Sequence, residues 1–112
     1  MAKAYKVAGQ SAPTANTDTT LYTVPANTNF VASSLVFCNR SSSVLSTLRI
    51  AIVPNGQTLN NQHYISYEEI LDIRERKSMV LGFALAAGDK VIVRSSTANL
   101  SFTLFGVENP TT

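Results

Sequence analysis

Few side chains in this chain are equipped for chemistry. Cys38 and His63 are each the only residue of their kind among 112. A thiolate beside an imidazole would make a nucleophile and its base. Cys38, however, has Val36 and Phe37 as neighbours, and a thiol in such a strand is expected to act as a small buried hydrophobe. His63 stands between Gln62 and Tyr64 and reads as a polar, half-buried strand residue. One His and one Cys cannot supply metal-ligand spacings such as CxxC or HExxH. Carboxylates cluster once, at Glu68, Glu69, Asp72 and Glu75, but Arg74, Arg76 and Lys77 lie among them. A solvated, mutually paired segment is expected there, not an acid–base or cation site. Tyr5, Tyr22, Tyr64 and Tyr67 are spread over the chain and no Trp accompanies them. Core or interface packing is therefore expected of them before a sugar-binding platform. The five glycines stand apart, so no phosphate-cradling loop is present. The expectation is a protein that is not an enzyme and carries no cofactor and no metal.

The elements that hold these residues read as strands. The organising stretch is residues 30–54, FVASSLVFCNRSSSVLSTLRIAIVP. It is expected to form a β-hairpin, with strands over 30–40 and 47–54 and a loop of small polar residues between. Leu35 and Phe37 occupy one alternation set and Val36 and Cys38 the other, so both faces of this strand are expected to be covered. Ahead of it, residues 4–8 suit a short edge strand with Tyr5 and Val7 on one side. Residues 10–20 are polar and read as a linker or arm, and LYTVP at 21–25 reads as a short strand.

Beyond the central stretch, Pro54-Asn55-Gly56-Gln57 is a turn signal. QHYISY at 62–67 is expected to be a strand with His63, Ile65 and Tyr67 on one face and Tyr64 and Ser66 on the other. EEILDIRERK at 68–77 suits one or two helical turns or an extended loop, and is too short for a stable isolated helix. Residues 78–85 read as a strand, and residues 90–96 and 100–108 as a closing hairpin. On the last strand Leu100, Phe102 and Leu104 form one apolar face. The opposite face begins polar, with Ser101 and Thr103, and ends apolar, with Phe105 and Val107.

Composition agrees with a β domain. Charged residues are only 14% of the chain and the net charge is +2. Ser, Thr and Asn fill the polar share, as suits strands and turns. No basic run marks a nucleic-acid surface, and no apolar run approaches a membrane span, so neither nucleic acid nor membrane is an expected partner. A single cysteine excludes an intrachain disulfide, and synthesis in a cytoplasm is expected. The fold expectation is all-β: an antiparallel sandwich, jelly-roll or Ig-like, of seven to eight short strands with an extended N-terminal arm. Residues 1–19 are the arm, 20–109 the sandwich domain and 110–112 a C-terminal tail. The apolar outer-face residues Tyr5, Val7, Ile92, Phe105 and Val107, with Arg74 and Arg76, are candidate interface residues, since contiguous exposed apolar area marks docking surfaces.

Four runs carry a family resemblance: TTLYTVPANTNFVASSLVFCNRS, LRIAIVPNG, QHYISYEEIL and LAAGDKVIVRSSTANLSFTLFGVE. Over residues 19–108 the chain resembles small virion accessory proteins of tailed bacteriophages. The shared motifs are turns and strands, and carry no catalytic signature. The resemblance implies a β-sandwich capsid cement or decoration protein, often trimeric, bound to the major capsid protein and located on the virion. Its alternatives are a tail, neck or baseplate component, or a receptor- or glycan-binding module using Tyr64 or Tyr67. The segment EEILDIRERK is longer and more charged than its counterpart in such proteins. The polar arm is expected to order on a neighbouring subunit or on the shell.

Overall fold

The computed structural model describes residues 3–80 and 82–111. Met1 and Ala2 of the expected arm, Leu81 of the expected 78–85 strand and Thr112 of the tail lie outside the described residues. Among the described residues nine strands follow one another: β1 (Ala4–Ser11), β2 (Thr19–Thr23), β3 (Thr28–Asn39), β4 (Ser46–Val53), β5 (Tyr64–Leu71), β6 (Arg76–Val80), β7 (Ala84–Leu85), β8 (Lys90–Ser95) and β9 (Leu100–Pro110). A 3-10 turn, Asn61–His63, precedes β5. Two antiparallel sheets result, sheet A in the order β1-β9-β3-β6 with β7 also on β3, and sheet B in the order β2-β8-β4-β5.

The pairs nest from the chain ends inward. β1 pairs with β9, β2 with β8, β3 with β6, and β4 with β5. A long antiparallel ribbon wrapped into two sheets in this way is a jelly roll. The wrapping overturns both expected hairpins. β3 and β4 lie in different sheets, as do β8 and β9. Strands in stacked sheets stand about 10 Å apart, and the connections at residues 40–45 and 96–99 cross that gap instead of reversing within a sheet. The charged run 68–77 is neither helix nor long loop. It supplies the end of β5, a turn at 72–75 and the start of β6.

The core lies between the sheets. From sheet A come Phe30, Leu35, Phe37, Phe102 and Leu104; from sheet B come Leu48, Ile50, Leu71, Val91 and Val93. Phe37 stacks on Phe102 at 5.9 Å and Tyr22 on Phe30 at 4.7 Å between ring centroids. On β3 the buried residues are Phe30 and Ala32, then Leu35 and Phe37. That change of parity is a β-bulge between Ala32 and Ser34. The outer residues Val36 and Cys38 are only half-buried, between β9 and β6, so no second layer of this chain covers them.

The segment expected as an arm is, over residues 4–11, the edge strand of sheet A. Residues 12–18 then cross to sheet B, with Pro13 buried and the Asn16 N–H donating to the Ser95 carbonyl at 2.7 Å. Connections 12–18, 40–45, 72–75 and 96–99 share one pole. There Arg40 donates to Asn99 and Ala98 carbonyls, and Arg74 N–H donates to Ser41. The opposite pole holds residues 24–27, 54–63 and 82–89, tied by Gly88 to Val24 and by Asn55 to Asp89.

Candidate functional site

Register places the outer face of sheet A in rows. Tyr5, Val107, Val31 and Ala84 form one row across β1, β9, β3 and β7. Val7, Phe105, Ser34 and Val80 form the next across β1, β9, β3 and β6. Further along come Thr103, Val36 and Ser78, and finally Ser101, Cys38 and Arg76. The apolar rows therefore lie between the polar Asn29–Asn109 row near the 24–27 pole and a polar end near the 40–45 pole. Tyr5 is 80% exposed and Val80 90%, with Val7 and Val31 also exposed and Phe105 and Val107 half-buried. Tyr5, Val7, Val31, Phe105 and Val107 are neighbours on β1, β9 and β3, and Val80 on β6 lies beyond Ser34; such an accessible apolar group is the feature that marks a docking surface.

Four of the seven residues expected at an interface, Tyr5, Val7, Phe105 and Val107, are brought together here. The other three are not. Ile92 is half-buried on the outer face of sheet B, opposite Ala51 and Thr20, because β8 belongs to that sheet. Arg76 shares the face of sheet A but sits in register with Cys38, four residues or about 13 Å along β6 from Val80. Arg74 caps the 72–75 turn with φ 53°. The charges of 68–77 do not pair mainly with one another. Glu68 reaches Arg49, Asp72 and Glu75 bond backbone N–H groups of the turn, and Lys77 bridges to Glu69 at 3.5 Å across the sandwich edge.

Cys38 stands in β3 of sheet A and His63 in the 3-10 turn that precedes β5 of sheet B, and they form no pair. Cys38 lies on the outer face of sheet A, half-buried. His63 is not a half-buried strand residue but a buried one in the 3-10 turn. Its Nδ1 accepts from Asn60 N–H at 2.9 Å, so Nε2 carries the proton and donates to Gln57 Oε1 at 2.9 Å. This cap folds residues 54–63 back on β4, whose outer-facing Ala51 and Val53 are buried. A recess of about 360 Å³ between Gln10–Ala12 and Ser101–Thr103 offers hydroxyls and backbone groups but no acid or base. Among the described residues no three His, Cys, Asp or Glu side chains converge.

Sheet B carries a second, polar constellation. Two register shifts in β5, at Ile65 and at Glu68, put Tyr64 and Tyr67 on the same outer face, against the simple alternation. Their rings meet edge to face at 5.0 Å. Arg49, directly opposite Tyr67, lays its guanidinium over that ring at 4.4 Å and donates through Nε to Glu68 Oε2 at 2.6 Å. That hydrogen bond raises the Arg49 pKa. On the other side Arg49 faces Arg94, which pairs with Asp18 at 3.5 Å. Elsewhere, Tyr22 donates to Glu108 at 2.5 Å, which with Lys6 holds that carboxyl below its usual range, while burial and Glu108 push the phenol up.

The residues missed by the sequence reading are Val31 and Val80 in sheet A, Arg49 and Arg94 in sheet B, and Asp18 just before β2. Val31 turns outward through the β3 bulge, which the sequence did not reveal because apolar residues fill both alternation sets of residues 30–38. The arginine row was not legible either, because it needs the β4–β8 pairing. No protein-family model and no curated protein matches the chain.

Proposed function

We propose that this chain is a structural protein of a tailed-bacteriophage virion, a capsid cement or decoration protein that forms trimers and binds the major capsid lattice from the capsid surface. The observation that carries the reading is the apolar outer face of sheet A. Its two apolar rows cover roughly 300 Å², from four strands about 4.8 Å apart and rows about 7 Å apart. A stable pairwise interface buries about 800 Å² per partner. A single such contact is weak, and repetition over a symmetric shell makes it effective. The family resemblance of residues 19–108 supports the reading, and so does the jelly roll, a fold used in viral capsids and lectins, although a fold alone assigns no function.

The N-terminal segment enters this proposal differently from a free arm. Tyr5 and Val7 contribute through the face of an edge strand, so the contact needs little new ordering. The test is stoichiometry and occupancy on particles. A shell protein is expected in hundreds of copies, and Val80→Lys with Tyr5→Lys is expected to strip it from the head while the purified domain stays folded. A few copies per particle would move the assignment to tail, neck or baseplate. Undiminished occupancy of the double variant would remove the face of sheet A from the mechanism.

A further inference from the structure

The outer face of sheet B has a chemistry unlike that of sheet A. Tyr67 is 59% exposed. Arg49 lies over its ring and Tyr64 meets it edge to face, so the ring is braced by both while keeping that exposure. Around it run Glu68, Arg49, Arg94 and Asp18, across β5, β4, β8 and the residue before β2. Like charges directly opposite on neighbouring strands are destabilising, yet Arg49 and Arg94 stand so placed, each held by a carboxylate. Glu68 spends Oε2 on Arg49, and among the described residues its Oε1 takes no hydrogen bond.

We propose that this face is a binding site for a neutral hexopyranose unit of a glycan, stacked on the exposed part of the Tyr67 ring and hydrogen-bonded by Glu68, Arg49 and Arg94. A pyranose presents an apolar C–H face and a rim of hydroxyls that both donate and accept. The ring of Tyr67 matches the first, and a carboxylate beside guanidinium groups matches the second. The charge balance selects among ligands. Two arginines against two carboxylates leave the row without net charge, so a polyanion such as a nucleic acid gains no attraction and meets Glu68 and Asp18 as repulsion. A protein partner would find arginines across the strands from Tyr67, where sheet A offers a contiguous apolar face. This activity goes beyond the particle-binding role and uses the opposite sheet.

The test needs no particle, so its failure is distinct from failure of the virion reading. The isotope-labelled chain is titrated with the methyl glycosides of glucose, galactose, mannose and N-acetylglucosamine while amide shifts are followed. At least one sugar is expected to give saturable shifts at Tyr67, Glu68, Arg49 and Arg94. Tyr67→Ala is expected to weaken that binding at least about tenfold, and Tyr67→Phe, which keeps the ring, to change it by no more than about threefold. Unchanged shifts away from β5 verify that each variant is folded. Absence of saturation by all four sugars up to about 100 mM overturns the proposal. So does equal binding by Tyr67→Ala, saturation only at residues remote from Tyr67, or saturation only by heparin or single-stranded DNA.

Discussion

At the scale of single residues, the fold rests on a few close contacts whose removal has a calculable sign. Tyr22 is buried and donates a hydrogen bond to Glu108, which is also bonded by Lys6. A carboxyl held below its unfolded value of about 4.3 contributes stability above that pH and loses it as pH falls through the folded value. The raised Tyr22 phenol behaves oppositely, contributing below its unfolded value of about 10 and losing it only as pH rises further. Tyr22→Phe is therefore expected to cost about 1.5–3 kcal/mol at neutral pH, and the deficit should narrow below about pH 4. Urea unfolding at pH 7 and pH 3 measures both numbers, and an equal deficit at the two pH values would refute the linkage. Gly106 is a position of close approach. A Cβ there would overlap the Phe30 ring and lie 2.5 Å from the Val31 carbonyl oxygen. Gly106→Ala is expected to destabilise by about 1–3 kcal/mol through overpacking, read as a fall in the urea midpoint without change in slope.

At the scale of elements, the irregularities of the strands decide what each face presents. The β3 bulge turns Val31 and Ser34 outward and keeps Phe30 and Phe37 in one core. The two β5 bulges bring Tyr64 and Tyr67 onto one side, and Glu68 accepts φ 53° to do so. The capped loop 54–63 acts as a lid on β4. His63→Ala removes both side-chain hydrogen bonds and is expected to cost about 1–3 kcal/mol, with faster hydrogen exchange at Ala51 and Val53. Protection unchanged at those amides would show that the cap does not hold the loop. Strand β1 is integral to the sheet, since it pairs with β9 from Ala4↔Glu108 to Ser11↔Phe102. Deleting residues 1–11 is expected to abolish a cooperative unfolding transition by circular dichroism, because it strips the edge of β9 and uncovers the core beneath. A truncated chain that still melted cooperatively near the parent temperature would restore the free-arm reading.

At the scale of the whole molecule, the nested pairing explains both stability and exposed chemistry. Every edge is blunted against strand addition: Lys6 and a register shift mark β1, a shift marks β2, two shifts mark β5, and β6 is short and followed by a two-residue strand. Association is thereby directed to faces and poles. Tyr5→Lys with Val80→Lys is expected to leave unfolding free energy within about 0.5 kcal/mol of the parent in urea, so that its loss from particles reports the docking face and not the fold. A parent that sediments as a monomer at every concentration would remove the trimer from the proposal.

The residue types and their alternation determined by themselves that this chain is all-β, which residues of β9 point inward, and that Phe105 and Val107 end its outer face on apolar side chains. Those are local properties, because a pleated strand reverses its side chains at every residue. The β3 bulge was not legible, because apolar residues fill both alternation sets of that strand and only burial separates them. What only the tertiary structure decided is which strands pair. Six residues between β3 and β4 serve a hairpin or a crossing between sheets equally well, and the choice is made by the partner strands β9 and β8, whose contacts are distant in sequence. For that reason the four-strand apolar face of sheet A and the Tyr67–Arg49–Arg94 row of sheet B exist only in the folded chain.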